Sequence, residues 1–210
     1  MKQKYLFIYF FVFLTSCLAF SQGTGEYDFK TNLEIFSKLT EKSIEKIENK
    51  IIVLGREKVF CLIIEGNEEN KDFLYTKFRQ KLYNFKIISE PDSASADYIV
   101  YLSRTVLNTG YIKIFGSVLK SRKVEREISV LYSCEIKQRN SQDVLYSEMI
   151  SEKKTDNFLL DNKDAVERGD YSFLKGRLPE MSFFEKAVIP GAVILASAVT
   201  IILFFAIRSK

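Results

Sequence analysis

The chain has 210 residues, of which 47% are hydrophobic and 28% charged, with 9 Gly and 3 Pro. It is too apolar and too poor in chain breakers for a disordered or collagen-like polymer, and its length fits one globular domain with accessory segments. There is no histidine, which excludes Ser-His-Asp and Cys-His catalysis and every His-based metal site.

Residues 1–22 read as an export signal. Lys2 and Lys4 make a basic start, Tyr5–Phe13 is an unbroken apolar run, and small residues follow. The apolar part is short for a hydrocarbon core of about 30 Å, which favours export over a stable span. Two processing routes stay open. Ala19-Phe20-Ser21 before Gln22 fits ordinary signal peptidase, whereas Leu14-Thr15-Ser16-Cys17 resembles a lipobox in which Cys17 carries lipid.

The next segment alternates helix and strand. Thr31-Asn32-Leu33-Glu34 has capping-box spacing, and Leu33, Phe36, Leu39, Ile44 and Ile47 follow at helical intervals, predicting a helix to about Asn49. Lys58–Glu65 is apolar on both faces, as a central strand is. Gly66-Asn67 breaks it, and Leu74, Phe78 and Leu82 mark an amphipathic helix over Lys71–Asn84. Phe85–Ser89 is a short strand stopped by Glu90-Pro91-Asp92.

From Ala96 the period becomes two. Strands are expected at Asp97–Arg104, Tyr111–Leu119, Val124–Lys137 and Val144–Glu152, with turns at Asn108-Thr109-Gly110 and Asn140–Asp143. The basic cluster Lys120-Ser121-Arg122-Lys123 reads as a solvated hairpin turn, because Glu125 and Glu127 follow at once. In the third of these strands Ile128, Val130, Tyr132, Cys134 and Ile136 share one face, although Leu131 breaks the alternation. The expected fold class is therefore α/β (α+β): a single mixed β-sheet with helices on one face, its first two strands parallel across a crossover helix. Cys61 and Cys134 both lie in apolar strands, and either a disulfide or two buried thiols fits them.

Residues 156–186 are expected to form a tether with a short helix around Lys163–Arg168. Ala187–Ile207 is uncharged over 21 residues, twelve of them Val, Ile, Leu or Phe. As a helix it is about 31 Å long, and those twelve contribute about −4 to −7 kcal/mol to insertion. The organisation predicted is a signal peptide (1–22), a periplasmic domain (23–155), the tether (156–186), a transmembrane helix (187–207) and a cytoplasmic tail (208–210). Removing Lys2, Lys4, Arg208 and Lys210 from the 31 basic residues leaves 27, against 27 acidic ones. A neutral domain has no field to gather phosphate polymers, so a nucleic-acid partner is not expected.

The order from residue 31 to 155 resembles a periplasmic group: the curli-secretion (CsgG-like) lipoproteins, the lipoprotein activators of penicillin-binding proteins and the amino-terminal domain of the Tol-system propeller protein. Val59–Glu65, the helix before Phe85-Lys86-Ile87-Ile88, Ala96-Asp97-Tyr98-Ile99-Val100 and the late hairpin Ile128–Lys137 to Val144-Leu145-Tyr146-Ser147 carry that resemblance. It implies a non-catalytic envelope assembly or regulatory module, and the work expected of this chain is binding or scaffolding another envelope protein or component. Those relatives lack a C-terminal span, which this chain adds.

Chemistry-bearing residues are few. Glu65, Glu68 and Glu69 follow the first strand, and Glu90 and Asp92 the second. If the strands are parallel neighbours, these carboxylates rim the edge where open α/β sheets bind ligands, as a partner surface or, alternatively, as a hydrolase or hard-cation site. Their ordinary role is helix capping and turn chemistry. Cys61 has no histidine to activate it, and no P-loop, GxGxxG or CxxC motif is present, so no cofactor is expected. Ala192, Ala196 and Thr200 have the small-xxx-small spacing of a helix-pairing face. The sequence thus points to a single-pass protein of the bacterial inner membrane with its main domain in the periplasm and the lipid bilayer as one partner.

Overall fold

The computed structural model describes residues 29–89, 95–116, 121–141, 143–180, 194–202 and 204–205. The predicted signal with Cys17, the loop residues Glu90 and Asp92, and Ala192 lie outside the described residues.

Helix α1 spans Asn32–Leu54 and starts at the predicted capping box: Glu34 N–H donates to the Thr31 hydroxyl, and Thr31 N–H donates to the Glu34 carboxylate at 2.8 Å. It runs past Asn49 because Ile51 continues the buried stripe, and Gly55 (φ 111°) ends it in a conformation that a Cβ disfavours. β1 (Val59–Ile64) leads through α2 (Glu68–Lys81) to β2 (Lys86–Ser89). β3 (Tyr98–Phe115), β4 (Lys123–Gln138) and β5 (Val144–Leu159) follow, then a short helix α3 (Lys163–Val166). One mixed sheet results, in the order β2-β1-β3-β4-β5. β1 is parallel to β2 and β3; β3–β4 and β4–β5 are antiparallel.

Two expectations about the strands are corrected. Asp97–Arg104 and Tyr111–Leu119 are not separate strands, since β3 is continuous through Asn108-Thr109-Gly110. Gly110 pairs with Glu127 without a positive φ, and the buried Thr109 hydroxyl donates to Phe173 C=O at 2.8 Å. The irregularity lies elsewhere. Arg104 and Thr105 together oppose one residue of β4, a bulge whose Arg104 has φ 53°. A second bulge, between Tyr111 and Lys113, makes Ile112 the extra residue. β5 runs past Glu152 to Leu159, where Phe158 is buried, so the sheet extends beyond the boundary expected at 155.

The core lies on one face of the sheet. Ile35, Phe36 and Ile44 of α1 and Phe73, Leu74 and Phe78 of α2 meet Phe60, Leu62, Val100, Leu102 and the even-numbered residues Ile128–Ile136 of β4. A fully buried side chain of this size contributes about 1.5–3 kcal/mol. Leu131 explains itself here. It pairs with Val106 and Ser151 on the other, uncovered face, where Val106 and Met149 stay 47% and 57% exposed.

Part of the predicted tether is also core. Phe173 packs edge-on against Phe36 and Phe73 with centroids at 4.9 and 5.3 Å, and Tyr171 stacks on Phe173 at 5.0 Å. Tyr171–Lys175 thus straps α1 to α2 and seals the end of the core. Cys61 and Cys134 are buried and form no disulfide. Cys134 faces the helices on β4, while β3 separates it from β1, so the two sulfurs cannot meet. Burial pushes the Cys134 thiol up to about 12.

Among the described residues no helix is long and apolar enough to cross a membrane. Of the predicted span, 194–202 and 204–205 are helical, and the remainder of 187–207 lies outside the described residues. Every one of these helical residues is exposed, from Val199 at 53% to Leu195 at 69% among the large apolar ones. Ala196 accepts the Thr200 hydroxyl at 2.8 Å, so Thr200 satisfies its polar group within the helix.

Candidate functional site

A cleft of about 390 Å³ lies beside the carboxyl end of β1. Three pieces of chain build it: the first turn of α2 (Asn67, Asn70), the bulge and following stretch of β3 (Thr105, Val106, Leu107, Asn108, Thr109), and the strap (Ser172, Phe173, Lys175).

Local chemistry fixes each piece. Asn67 caps α2, its side-chain oxygen accepting Asn70 N–H at 2.8 Å. Asn70 is 6% exposed and extends its amide toward Thr105 C=O at 3.4 Å. The bulge turns the Thr105 hydroxyl onto Glu65 C=O. That closeness requires Gly66, where a Cβ would fall 2.2 Å from the Thr105 hydroxyl. A bulge and a non-glycine residue in the left-handed region are features that recur next to functional sites.

The predicted carboxylate rim is partly present and already engaged. Glu65 accepts a hydrogen bond from the Tyr101 hydroxyl. Glu68 is 91% exposed and pairs with Lys71 at 3.1 Å. Glu69 accepts both the backbone N–H and the hydroxyl of Ser172, at 2.6 and 2.5 Å, which holds its carboxyl below the usual range. Glu69 therefore anchors the strap, and Tyr171 adds a second anchor by donating to Asp72 at 2.9 Å. β1 and β2 are the expected parallel neighbours. Among the described residues no group of three or more acidic or cysteine side chains is arranged to hold a metal ion.

The cleft's lining mixes amide and hydroxyl side chains with the apolar Val106, Leu107 and Phe173, and Lys175 is its one charged residue among the described ones. Such a lining donates and accepts hydrogen bonds to a polar group but presents no acid–base pair. It opens toward the uncovered sheet face, since Val106 and Asn108 belong to both surfaces. Tyr101, Leu131, Met149 and Leu145 continue that face, and its charges come as neutral pairs: Lys137–Glu135 and Lys153–Glu127, each at 2.7 Å.

A second polar assembly, which the sequence reading missed, lies at the other end of the strap. Arg126 is 1% exposed and forms a two-pronged bond to Asp156 (2.8 and 2.7 Å). It also donates to Asn32 Oδ1 at 2.6 Å and Lys30 C=O at 3.0 Å, and stands 5.2 Å from the Phe158 ring centroid. Asn32 in turn donates to Leu174 C=O at 2.5 Å. The Tyr111 hydroxyl and Gly176 N–H both donate to Glu167. Burial pushes the Glu167 carboxyl up, but its bonds to Lys163, Tyr111 and Gly176 outweigh this and leave it lowered. The signal was available: Arg126 is in phase with the buried face of β4.

No protein-family profile and no curated protein matches the chain by sequence. Among solved structures, the fold is similar to a neuraminyllactose-binding hemagglutinin homolog from Helicobacter pylori, with 15% identity and a TM-score of 0.33 over 50% of this chain and 67% of that one. It is also similar to a minor lipoprotein from Acinetobacter baumannii, with 9% identity and a TM-score of 0.27 over the same shares. Likenesses this low assign neither a family nor a function, and the resemblance to CsgG-like and activator lipoproteins rests on element order alone.

Proposed function

We propose that the protein is a non-catalytic, membrane-tethered binding module of the bacterial envelope. An export signal carries the α/β body out of the cytoplasm, the C-terminal helix holds it at the inner membrane, and the body captures another envelope protein. The observation that carries this reading is the C-terminal helix, among whose described residues Ile194, Leu195, Val199, Ile201, Ile202, Phe204 and Phe205 are all more than half exposed. An apolar helix with no protein cover belongs in lipid. Tethering raises the body's effective concentration near partners in the same membrane. The capture surface is the cleft and the uncovered sheet face, joined at Val106 and Asn108. The rim carboxylates serve this surface structurally, through the Tyr101 and Ser172 bonds, rather than as an acid–base pair.

The test is alkaline extraction of membranes from cells making the full chain. Wild type stays in the pellet. Leu195→Arg combined with Val199→Arg adds about 5–7 kcal/mol to insertion, which cancels the apolar contribution, and the protein moves to the supernatant. A doubly charged variant that stays in the pellet refutes the anchor.

A further inference from the structure

We infer that the turn end of the β3–β4 hairpin, with Ile112, Phe115, Arg122 and Lys123, is a second contact with the bilayer, docking the sheet's far end onto an anionic lipid surface. This deepens the proposed function and rests on its reading of the C-terminal helix as the anchor.

The geometry is that both ends of the folded body converge on one small cluster. Tyr111, Val124, Phe158 and Val166 form it, and Phe29, Ile114, Leu160 and Leu178 pack against them. Phe29 is the first described residue, and Leu178 lies nine residues before the apolar stretch that starts at Ala187. Nine residues reach at most about 30 Å, so Leu178, and the cluster it packs on, is tethered within that distance of the apolar stretch.

The surface there suits a lipid interface. The bulge between Tyr111 and Lys113 turns Ile112 outward to 50% exposure, and Phe115 is 37% exposed beside it. Lys123 is exposed, Arg122 adjoins it, and the Lys113 side chain is 63% exposed while paired to Glu125 at 3.3 Å. Exposed apolar side chains flanked by basic ones are the composition that enters the headgroup region of anionic lipid. Asp161 and Asp164 stand on the adjoining turn, so the attraction is confined to the hairpin's flank. Tyr83, 76% exposed just before β2, lies at the end where β3 begins, about 50 Å from Phe115 along an 18-residue strand.

The chain contains no tryptophan, so Phe115→Trp and Tyr83→Trp each give a single fluorescent reporter in the full chain. Each is reconstituted into vesicles of phosphatidylethanolamine with a minority of phosphatidylglycerol, and quenching by lipids brominated on their acyl chains is read alongside flotation. The expected result is flotation of both, with Phe115→Trp quenched and blue-shifted and Tyr83→Trp neither. Adding Arg122→Glu and Lys123→Glu removes the quenching of Phe115→Trp but not the flotation. Flotation with equal, weak quenching of both reporters overturns the inference while leaving the anchor intact. Failure to float overturns the anchor, and this inference with it.

Discussion

Asp156→Ala isolates the energetics of the buried arginine. In the native protein Arg126 is 1% exposed and Asp156 27% exposed, and among the described residues the carboxylate is the guanidinium's one charged partner at bonding distance. Removing it strands a buried cation, which costs about 3–5 kcal/mol when the pair is fully buried. The partial exposure of Asp156 admits water to the remaining charge and places the expected loss near the lower figure, about 3 kcal/mol. Arg126→Met behaves differently. It leaves a carboxylate that water can reach, keeps an apolar stem over Phe158, and deprives Asn32 Oδ1 and Lys30 C=O of their donor. At about 1 kcal/mol for each orphaned acceptor, the loss is about 2 kcal/mol. The double variant buries no charge, so it is expected to match Arg126→Met and to be more stable than Asp156→Ala alone. Urea unfolding of residues 29–180 followed by circular dichroism measures all three. With a slope of about 2 kcal/mol/M, Asp156→Ala lowers the midpoint by about 1.5 M. Added salt changes that difference little, because Arg126 itself is 1% exposed. Simple additivity of the two single losses, or a loss below about 1 kcal/mol for Asp156→Ala, would refute the reasoning.

Other outcomes follow from the same contacts. Phe173→Ala removes the ring that joins α1 to α2 and is expected to cost about 3–5 kcal/mol in the same urea assay; a loss under 1 kcal/mol means the strap is not part of the cooperative core. Burial pushes the Glu152 carboxyl up, but its bonds to Lys42 and Lys46, both 2.7 Å, outweigh this and hold it below the usual range. A lowered folded value gives stability that is complete above the unfolded value of about 4.3 and is lost as pH falls through the folded one. Stability measured against pH is therefore expected to drop on the acid side, and Glu152→Gln to flatten that drop. Cys61 and Cys134 are expected to resist alkylation until denaturant is added, and to give the same gel mobility with and without reductant; a mobility difference contradicts the strand order.

What the sequence determined was set by short-range periodicity. The Thr31–Glu34 capping box, the apolar stripe of α1, the doubly apolar β1 and the alternation of β4 are each local patterns, and each appears where local physics puts it. The uncharged run 187–207 is equally local. Three features needed the tertiary structure. Asn108-Thr109-Gly110 has turn composition, yet it stays extended because Thr109 finds a buried acceptor on a strap more than 60 residues away. The second half of β5 carries little apolar signal, since it is an edge strand whose partner β4 supplies the pairing. Arg126 was legible as a charge on a buried phase, but its partners come from two distant parts of the chain, Lys30 and Asn32 from one and Asp156 from the other. Hydrogen bonds between distant residues leave no period in a sequence, and this is why the cleft and the buried arginine emerged only from the fold.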